Sequence, residues 1–297
     1  MQFGGTANKR GRALGLTAHP EMEASVPVQV DLSGQTAVVT GASSGIGRAI
    51  AERIGASGAH VLLSGRTESP MRESAAKIVA AGGRATVDVG DVRDPDTVRS
   101  LVIRAMEADG RLDIFVNNAG YSVFASVLDG DVESWRAMWE TNVLALLVGC
   151  QAAVKAMRTT GNPGHIINTS SVAALSPDSG VYGATKHAVN VITNTLRAEL
   201  DNDPIQISSV MPGLVATNLG RESPEILLGI VAMSGIEHEI VKGERLPDEV
   251  LEQGRAVLSD FIIKPDDIAD AVMYLLSVPS SVDVTDIVVR PNKYFAL

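Results

Sequence analysis

The sequence predicts an α/β protein: one doubly wound domain with a parallel sheet of about seven strands, helices on both faces and a lid over the binding edge. Two observations carry this. From residue 32 to residue 290, short β-branched runs alternate with helical patterns of ten residues or more, the mark of βαβ crossovers and a parallel sheet. The first such run enters a glycine-rich turn, Gly41-Ala42-Ser43-Ser44-Gly45-Ile46-Gly47. Sheets of this kind bind ligands at the carboxyl ends of their strands.

The elements follow in order. Thr36–Thr40 (TAVVT) is an unbroken strand-forming run, and residues 46–55 (IGRAIAERIG) have apolar residues at helical spacing. Strands are expected at 60–64, 84–89, 112–117, 165–169, 205–211 and 286–290. Helices are expected at 71–81, 96–108, 135–157, 182–200 and 265–276. Between residues 214 and 264 the rhythm breaks at Pro224, Gly229, Gly235, Gly243 and Pro247. So long a segment inside a compact domain is functional or disordered. Its apolar residues, Leu227 and Val231 among them, need a surface to cover, which favours a lid.

A chain of 297 residues, 45% hydrophobic and 20% charged, is long enough for one large domain spanning residues 31–297. The net charge of −10 and the lack of any Lys/Arg stripe argue against a nucleic-acid partner. Residues 1–30 are rich in Gly and Ala and read as a flexible extension with a small basic group, Lys9, Arg10 and Arg12. They lack the apolar core of a signal peptide, and no run of about eighteen apolar residues suggests a membrane span. The single cysteine, Cys150, excludes an intrachain disulfide and fits a reducing, cytoplasmic setting. Five scattered histidines, with no paired Cys or His motif, give no expectation of a metal.

The glycine-rich turn has the spacing G-x-x-x-G-x-G. Glycines there let the backbone approach a pyrophosphate, and the following helix aims free N–H groups and its positive end at it. At the tip of the second strand, Leu62-Leu63-Ser64-Gly65-Arg66 offers no carboxylate for a ribose 2′-hydroxyl. Arg66 is suited instead to a 2′-phosphate, which predicts NADP(H), and Arg48 is a second candidate.

Tyr182-Gly183-Ala184-Thr185-Lys186 opens a helix, so the phenol and the ammonium share one face. A neighbouring ammonium favours the phenolate, which suits Tyr182 to general acid–base work. Such a pair alone is a weak signal. It gains weight from Ser170 and Ser171, hydroxyls at the end of the strand just before that helix, where one of them can stabilise charge on a substrate oxygen.

Taken together, TGASSGIG at 40–47, GDV at 90–92, NNAG at 117–120, TNV at 141–143, NTSS at 168–171, YGATK at 182–186 and MPGLVAT at 211–217 resemble the short-chain dehydrogenase/reductase family. The resemblance runs from about residue 31 to 290 and implies a Rossmann-type fold. It implies that Tyr182 is the acid/base, that Lys186 binds the nicotinamide ribose and tunes the tyrosine, and that Asn142 holds a water in the proton relay. It assigns the catalytic hydroxyl to the second serine, Ser171. The serine lies eleven residues ahead of Tyr182, closer than in the family, so Ser170 stays an alternative. Gly41, Ser43, Ser44, Gly45, Ile46 and Gly47 correspond to the phosphate turn. Asp91 and Val92 correspond to adenine contacts, Asn118, Ala119 and Gly120 to a loop along the cofactor, and Pro212, Gly213, Val215 and Thr217 to the nicotinamide cradle. Asn117 corresponds to a sheet-supporting residue. The expected activity is hydride transfer between NADP(H) and a small carbonyl or alcohol substrate, in a homodimer or homotetramer. Two other readings remain: a silent NADP-binding regulator, and an epimerase or dehydratase on the same fold.

Overall fold

A computed structural model describes residues 30–293, so residues 1–29 of the expected extension, with its basic group, lie outside the described residues. The strands are β1 (Thr36–Thr40), β2 (His60–Gly65), β3 (Arg84–Val89), β4 (Ile114–Asn117), β5 (Gly164–Thr169), β6 (Ile205–Pro212) and β7 (Asp286–Val289). The helices are α1 (Gly45–Ala56), α2 (Glu68–Ala80), α3 (Pro95–Asp109), α4 (Val132–Trp139), α5 (Ala145–Thr160), α6 (Gly180–Glu199), α7 (Pro224–Ser234), α8 (Asp248–Val257) and α9 (Pro265–Ser277). The seven strands make one sheet in the order β3-β2-β1-β4-β5-β6-β7, and every pairing is parallel. Order reverses between β1 and β4, so the crossovers that leave these two strands run to opposite ends of the sheet and a crevice forms at the strands' carboxyl ends.

Side chains alternate between two cores, as a strand's period of two requires. Ala37, Val39, Val61, Leu63, Ile114 and Val116 meet Ile50 and Ile54 of α1, Met71 and Ile78 of α2 and Ile268 and Val272 of α9. Val38, Leu62, Phe115, Ile166 and Ile207 meet Leu101 of α3, Ala153 and Val154 of α5 and Val189 of α6. Each such aliphatic side chain contributes roughly 1.5–3 kcal/mol on burial, which holds the binding edge rigid from both sides.

The expected helix at 135–157 begins earlier and is interrupted. α4, a π-helical turn at Glu140–Leu144 and α5 run on as one helix. This 29-residue helix holds an 18-residue stretch with a mean hydropathy of 1.3 and is by length and composition apolar enough to cross a membrane. The sequence shows no unbroken apolar run because polar residues punctuate it. Its apolar face is that of a core helix, with Leu146, Cys150, Ala153 and Met157 buried in the second core.

Residues 214–264 are more regular than the sequence suggests. A 3₁₀ turn at Asn218–Glu222 leads into α7, and α8 follows. Pro224 starts α7, where its missing N–H costs nothing, and Gly235 ends it at φ 70°. Leu227, Val231 and Leu246 form a small core of their own. The segment is fastened to itself by paired bonds between Asn218 and Leu246: Nδ2 to the carbonyl at 3.0 Å, and the Leu246 N–H to Oδ1 at 2.7 Å.

Candidate active site

The crevice floor is the turn after β1. Gly41 and Gly45 adopt φ of 69° and 54°, a region open to glycine. A Cβ on Gly41 would sit 2.8 Å from the Ala119 Cα, and one on Gly47 would sit 2.3 Å from Asn118 Nδ2 and 2.4 Å from the Gly41 carbonyl oxygen. The glycines therefore let the loops after β1 and β4 touch. Thr40 locks that contact: its hydroxyl oxygen accepts from the backbone N–H groups of Asn118 and Ala119, both at 3.0 Å, and its carbonyl accepts from Asn118 Nδ2 at 3.0 Å. Gly120 follows, with room for a Cβ 3.7 Å from Asn142 Oδ1.

α1 opens at Ser44 without a side-chain cap and without an acidic residue in its first turn. Asp94 and Asp131, by contrast, cap α3 and α4. The first N–H groups of α1 are thus left for an external acceptor, as a bound phosphate needs. Ser43 lies over Gly65, where a Cβ would come within 3.2 Å of it, and Ile46 packs on the first core. Together with the glycine cradle, this fits a dinucleotide.

Arg66 stands exposed just past β2 and makes no ion pair among the described residues. Asp91 accepts from Arg93 through the backbone N–H at 3.0 Å, Nε at 3.0 Å and Nη2 at 2.7 Å. Burial raises its pKa, but the Arg93 hydrogen bonds and charge, with that of Arg66, outweigh this and keep the carboxyl below its ordinary range. Val92 is buried in the second core. On the other side, Pro212 ends β6 and the Gly213 N–H donates to the Val289 carbonyl at 2.7 Å. Val215 pairs with Ile263, and the Thr217 methyl would meet a Cβ on Gly45 at 3.0 Å. Arg48, the second arginine singled out, pairs with Asp248 of α8 at 3.0 Å.

The reactive side chains gather at the end of β5. Tyr182, Lys186, Ser170 and Ser171 are all buried. The Lys186 ammonium donates to the Thr169 carbonyl at 2.8 Å and lies 6.0 Å from the centre of the Tyr182 ring. The two serines differ. The Ser170 hydroxyl donates to the Lys186 backbone carbonyl at 3.1 Å. The Ser171 hydroxyl accepts from the Ala173 N–H at 3.1 Å and hydrogen-bonds the Tyr182 phenol.

The expected lowering of the Tyr182 pKa by Lys186 is not found. Burial pushes the phenol up to about 12, with only the Ser171 hydrogen bond opposing it. Burial also draws Lys186 down to about 8. Both shifts come from taking the groups out of water.

Asn142 sits in the π turn, a feature that recurs at functional sites. Its Nδ2 donates to the Tyr121 carbonyl at 2.9 Å and the Thr185 hydroxyl at 3.0 Å, and its Oδ1 accepts from the Tyr121 N–H at 2.9 Å. Thr185 in turn donates to the Tyr182 carbonyl at 2.7 Å. Asn142 thus reaches the tyrosine helix through Thr185, which sequence reasoning passed over although it stands three residues past Tyr182 on the same face. Phe124 packs edge-on to the Tyr182 ring, centres 5.2 Å apart. Asn117 bonds Asn168 Oδ1 at 2.9 Å within the second core, and Asn168 bonds Thr193 at 2.9 Å, a cross-brace from β4 through β5 to α6. Among the described residues, no His, Cys, Asp and Glu side chains assemble into a metal-binding group.

Residues 35–226 match the family model described as short chain dehydrogenase. The chain belongs to the short-chain dehydrogenase family. That family is one of oxidoreductases that use nicotinamide cofactors. An uncharacterised oxidoreductase of Staphylococcus saprophyticus is 34% identical over 266 residues, covering 88% of this chain and 99% of its own. The crystal structure of a metagenomic short-chain oxidoreductase in complex with NADP superposes with a TM-score of 0.67 at 31% identity, over 87% of this chain and 98% of that one. The alcohol dehydrogenase of the archaeon Thermococcus sibiricus, complexed with 5-hydroxy-NADP, gives a TM-score of 0.69 at 26% identity, over 86% and 96%.

Proposed function

We propose that this short-chain dehydrogenase family member is an NADP(H)-dependent oxidoreductase that interconverts a ketone or aldehyde and the corresponding alcohol. The observation that carries this is the buried set of Ser171, Tyr182 and Lys186 at the end of β5, beside a glycine cradle fitted to a dinucleotide. In reduction, Tyr182 gives its proton to the substrate oxygen while the Ser171 hydroxyl holds that oxygen. A nicotinamide cofactor, when bound, would supply the hydride that the carbonyl carbon takes up. Lys186 holds the ribose and passes a replacement proton to Tyr182, with Asn142 positioning the water that feeds it. The choice of the phosphorylated cofactor rests on exposed Arg66 and the missing carboxylate at the end of β2. It is supported by the NADP complex and the 5-hydroxy-NADP complex of the two solved relatives.

In the same reading, residues 214–264 act as a lid over the substrate, and Phe124 with its apolar neighbours gives the pocket an apolar wall. Trp139, Leu144 and Leu147 on the long helix and Val191 on α6 are 41–52% exposed, a surface suited to pairing with the same helices of a second copy in a cytoplasmic homo-oligomer.

The test follows nicotinamide absorbance with NADPH and a panel of ketones and aldehydes. The expected result is carbonyl-dependent oxidation of NADPH that Tyr182→Phe abolishes. Tight NADPH binding with no carbonyl reduced would overturn the reading in favour of a regulator or a non-redox enzyme.

A further inference from the structure

A second charged feature borders the phosphate turn, and no step of the reaction above uses it. Arg48 lies three residues past Gly45 on α1, hence on the same helix face. Helical side chains lean towards the helix N-terminus, so Arg48 leans back over the glycine-rich turn. Its Nη1 pairs with Asp248 at the start of α8 at 3.0 Å, while its Nε is buried with no hydrogen-bond partner among the described residues. A buried N–H without an acceptor is costly, and it marks a place where an acceptor is wanted.

Two lid arginines stand close by. Arg221 lies in the 3₁₀ turn that follows Thr217, the residue whose methyl a Cβ on Gly45 of the phosphate turn would meet at 3.0 Å. Arg245 precedes Leu246, which is bonded at both backbone groups to Asn218 in that turn. The Gly243 N–H donates to the Arg221 carbonyl at 2.9 Å, which brings the two stretches together. Burial, then the charge of Arg48, then that of Arg221 act against the charged form of Arg245, and Asp248 partly offsets them. Three guanidinium groups therefore share a small region with two carboxylates, Asp248 and Glu222, the latter 3.8 Å from Arg221.

We propose that Arg48, Arg221 and Arg245 form a phosphate clamp, two of its members carried by the lid, that grips the pyrophosphate of the bound dinucleotide beside the glycine-rich turn. Guanidinium forks match phosphate oxygens two bonds at a time. When the dinucleotide binds, Arg48 turns its free Nε–H and part of its Asp248 pairing to the phosphate. Because Asp248 opens α8, this links cofactor occupancy to the position of the lid. The proposal rests on the reading that a dinucleotide occupies this crevice.

The experiment is calorimetric titration of NADPH and of NADH into the full chain, with no carbonyl substrate present, for wild type, Arg48→Gln, Arg245→Gln and Asp248→Asn. The pyrophosphate is common to both nucleotides, so each arginine variant is expected to weaken both by a similar factor, about tenfold. Asp248→Asn keeps every arginine and removes a competing carboxylate, so it is expected to tighten both. Unchanged affinities in the arginine variants would overturn the clamp and leave the cluster to an anionic substrate group. A loss confined to NADPH would overturn it in favour of 2′-phosphate recognition. Weakening by Asp248→Asn would overturn it in favour of a purely structural tie between α1 and α8. Failure of the wild type to bind either nucleotide would instead remove the proposed function itself.

Discussion

The Lys186 ammonium donates to the Thr169 backbone carbonyl at 2.8 Å, and one residue further along the strand end the contact runs the other way. There the Ser170 hydroxyl donates to the Lys186 backbone carbonyl at 3.1 Å. The helix carrying Tyr182 is thereby clamped to the carboxyl end of β5 by two buried bonds of opposite direction. Catalytic geometry tolerates little slack, and this clamp fixes the separation between the strand-borne hydroxyl and the helix-borne phenol.

The clamp separates the roles of the two serines. Ser171→Ala is expected to lower turnover by about a hundredfold, the usual effect of removing a donor from a developing oxyanion, and also to lose the bond to the Ala173 N–H, a stability cost comparable to that of Ser170→Ala. Ser170→Ala removes a buried hydrogen bond and is expected to cost about 1 kcal/mol of stability with a smaller effect on turnover. Steady-state kinetics and thermal melts on both variants check this. The opposite ranking of turnover would move the substrate hydroxyl to Ser170.

Lys186 and Tyr182 give a pH dependence with a definite sign. Lys186, drawn down to about 8 by burial, keeps its proton below that value and loses it above. Tyr182, pushed up to about 12, is a phenol throughout the neutral range. Carbonyl reduction needs the phenol protonated and the ammonium charged, so its rate is expected to be level below about pH 8 and to fall as pH rises through it. Lys186→Arg holds its charge at all accessible pH and is expected to lose this alkaline limb, whatever its absolute rate. A reduction rate that rises through pH 8 would contradict the assignment.

The fold was legible because two kinds of local signal agreed. Strand runs such as Thr36–Thr40 are buried on both faces and carry no polar interruption. Their turns carry glycines, as at Gly41 and Gly47, where any Cβ would strike the neighbouring loop. The candidate site was legible as far as its residues sit in contiguous motifs. What escaped was set by contacts far apart in sequence. The π turn around Asn142 leaves no local signature, and its side chain is held by Tyr121 and Thr185 from two other segments. The raised Tyr182 pKa comes from tertiary burial, which spacing alone does not reveal. Arg48, a second candidate for the 2′-phosphate in the sequence, pairs at 3.0 Å with Asp248, 200 residues later, a contact that no local pattern reveals.

Arg66 is the residue expected to choose between cofactors. It is exposed, makes no ion pair among the described residues, and stands just past β2, whose last residues carry no carboxylate. Arg66→Ala is expected to weaken NADPH by about tenfold or more, the scale of a charge-assisted phosphate contact, and to leave NADH almost unchanged. Binding titrations of both nucleotides read this directly. Equal loss of both would place Arg66 outside the 2′-phosphate contact.

His165 sets the acid limit of the fold. It is buried in β5, and its Nε2 donates to the Ser208 hydroxyl at 2.9 Å, because that hydroxyl spends its own proton on the Val284 carbonyl at 2.7 Å. The neutral ring therefore bridges β5 and β6. Burial lowers its pKa from 6.5 to about 4. A histidine whose folded pKa lies below its unfolded value binds its proton more tightly when unfolded. Its contribution is thus complete above pH 6.5 and is lost progressively as pH falls towards 4. The full loss is about 3 kcal/mol. Denaturant unfolding between neutral pH and the acid limb should show this decline, and His165→Gln, which keeps a donor but cannot be protonated there, should flatten it. A His165 resonance that titrates near its ordinary value in the folded protein would show that the ring is open to water, and would move the acid sensitivity to other groups.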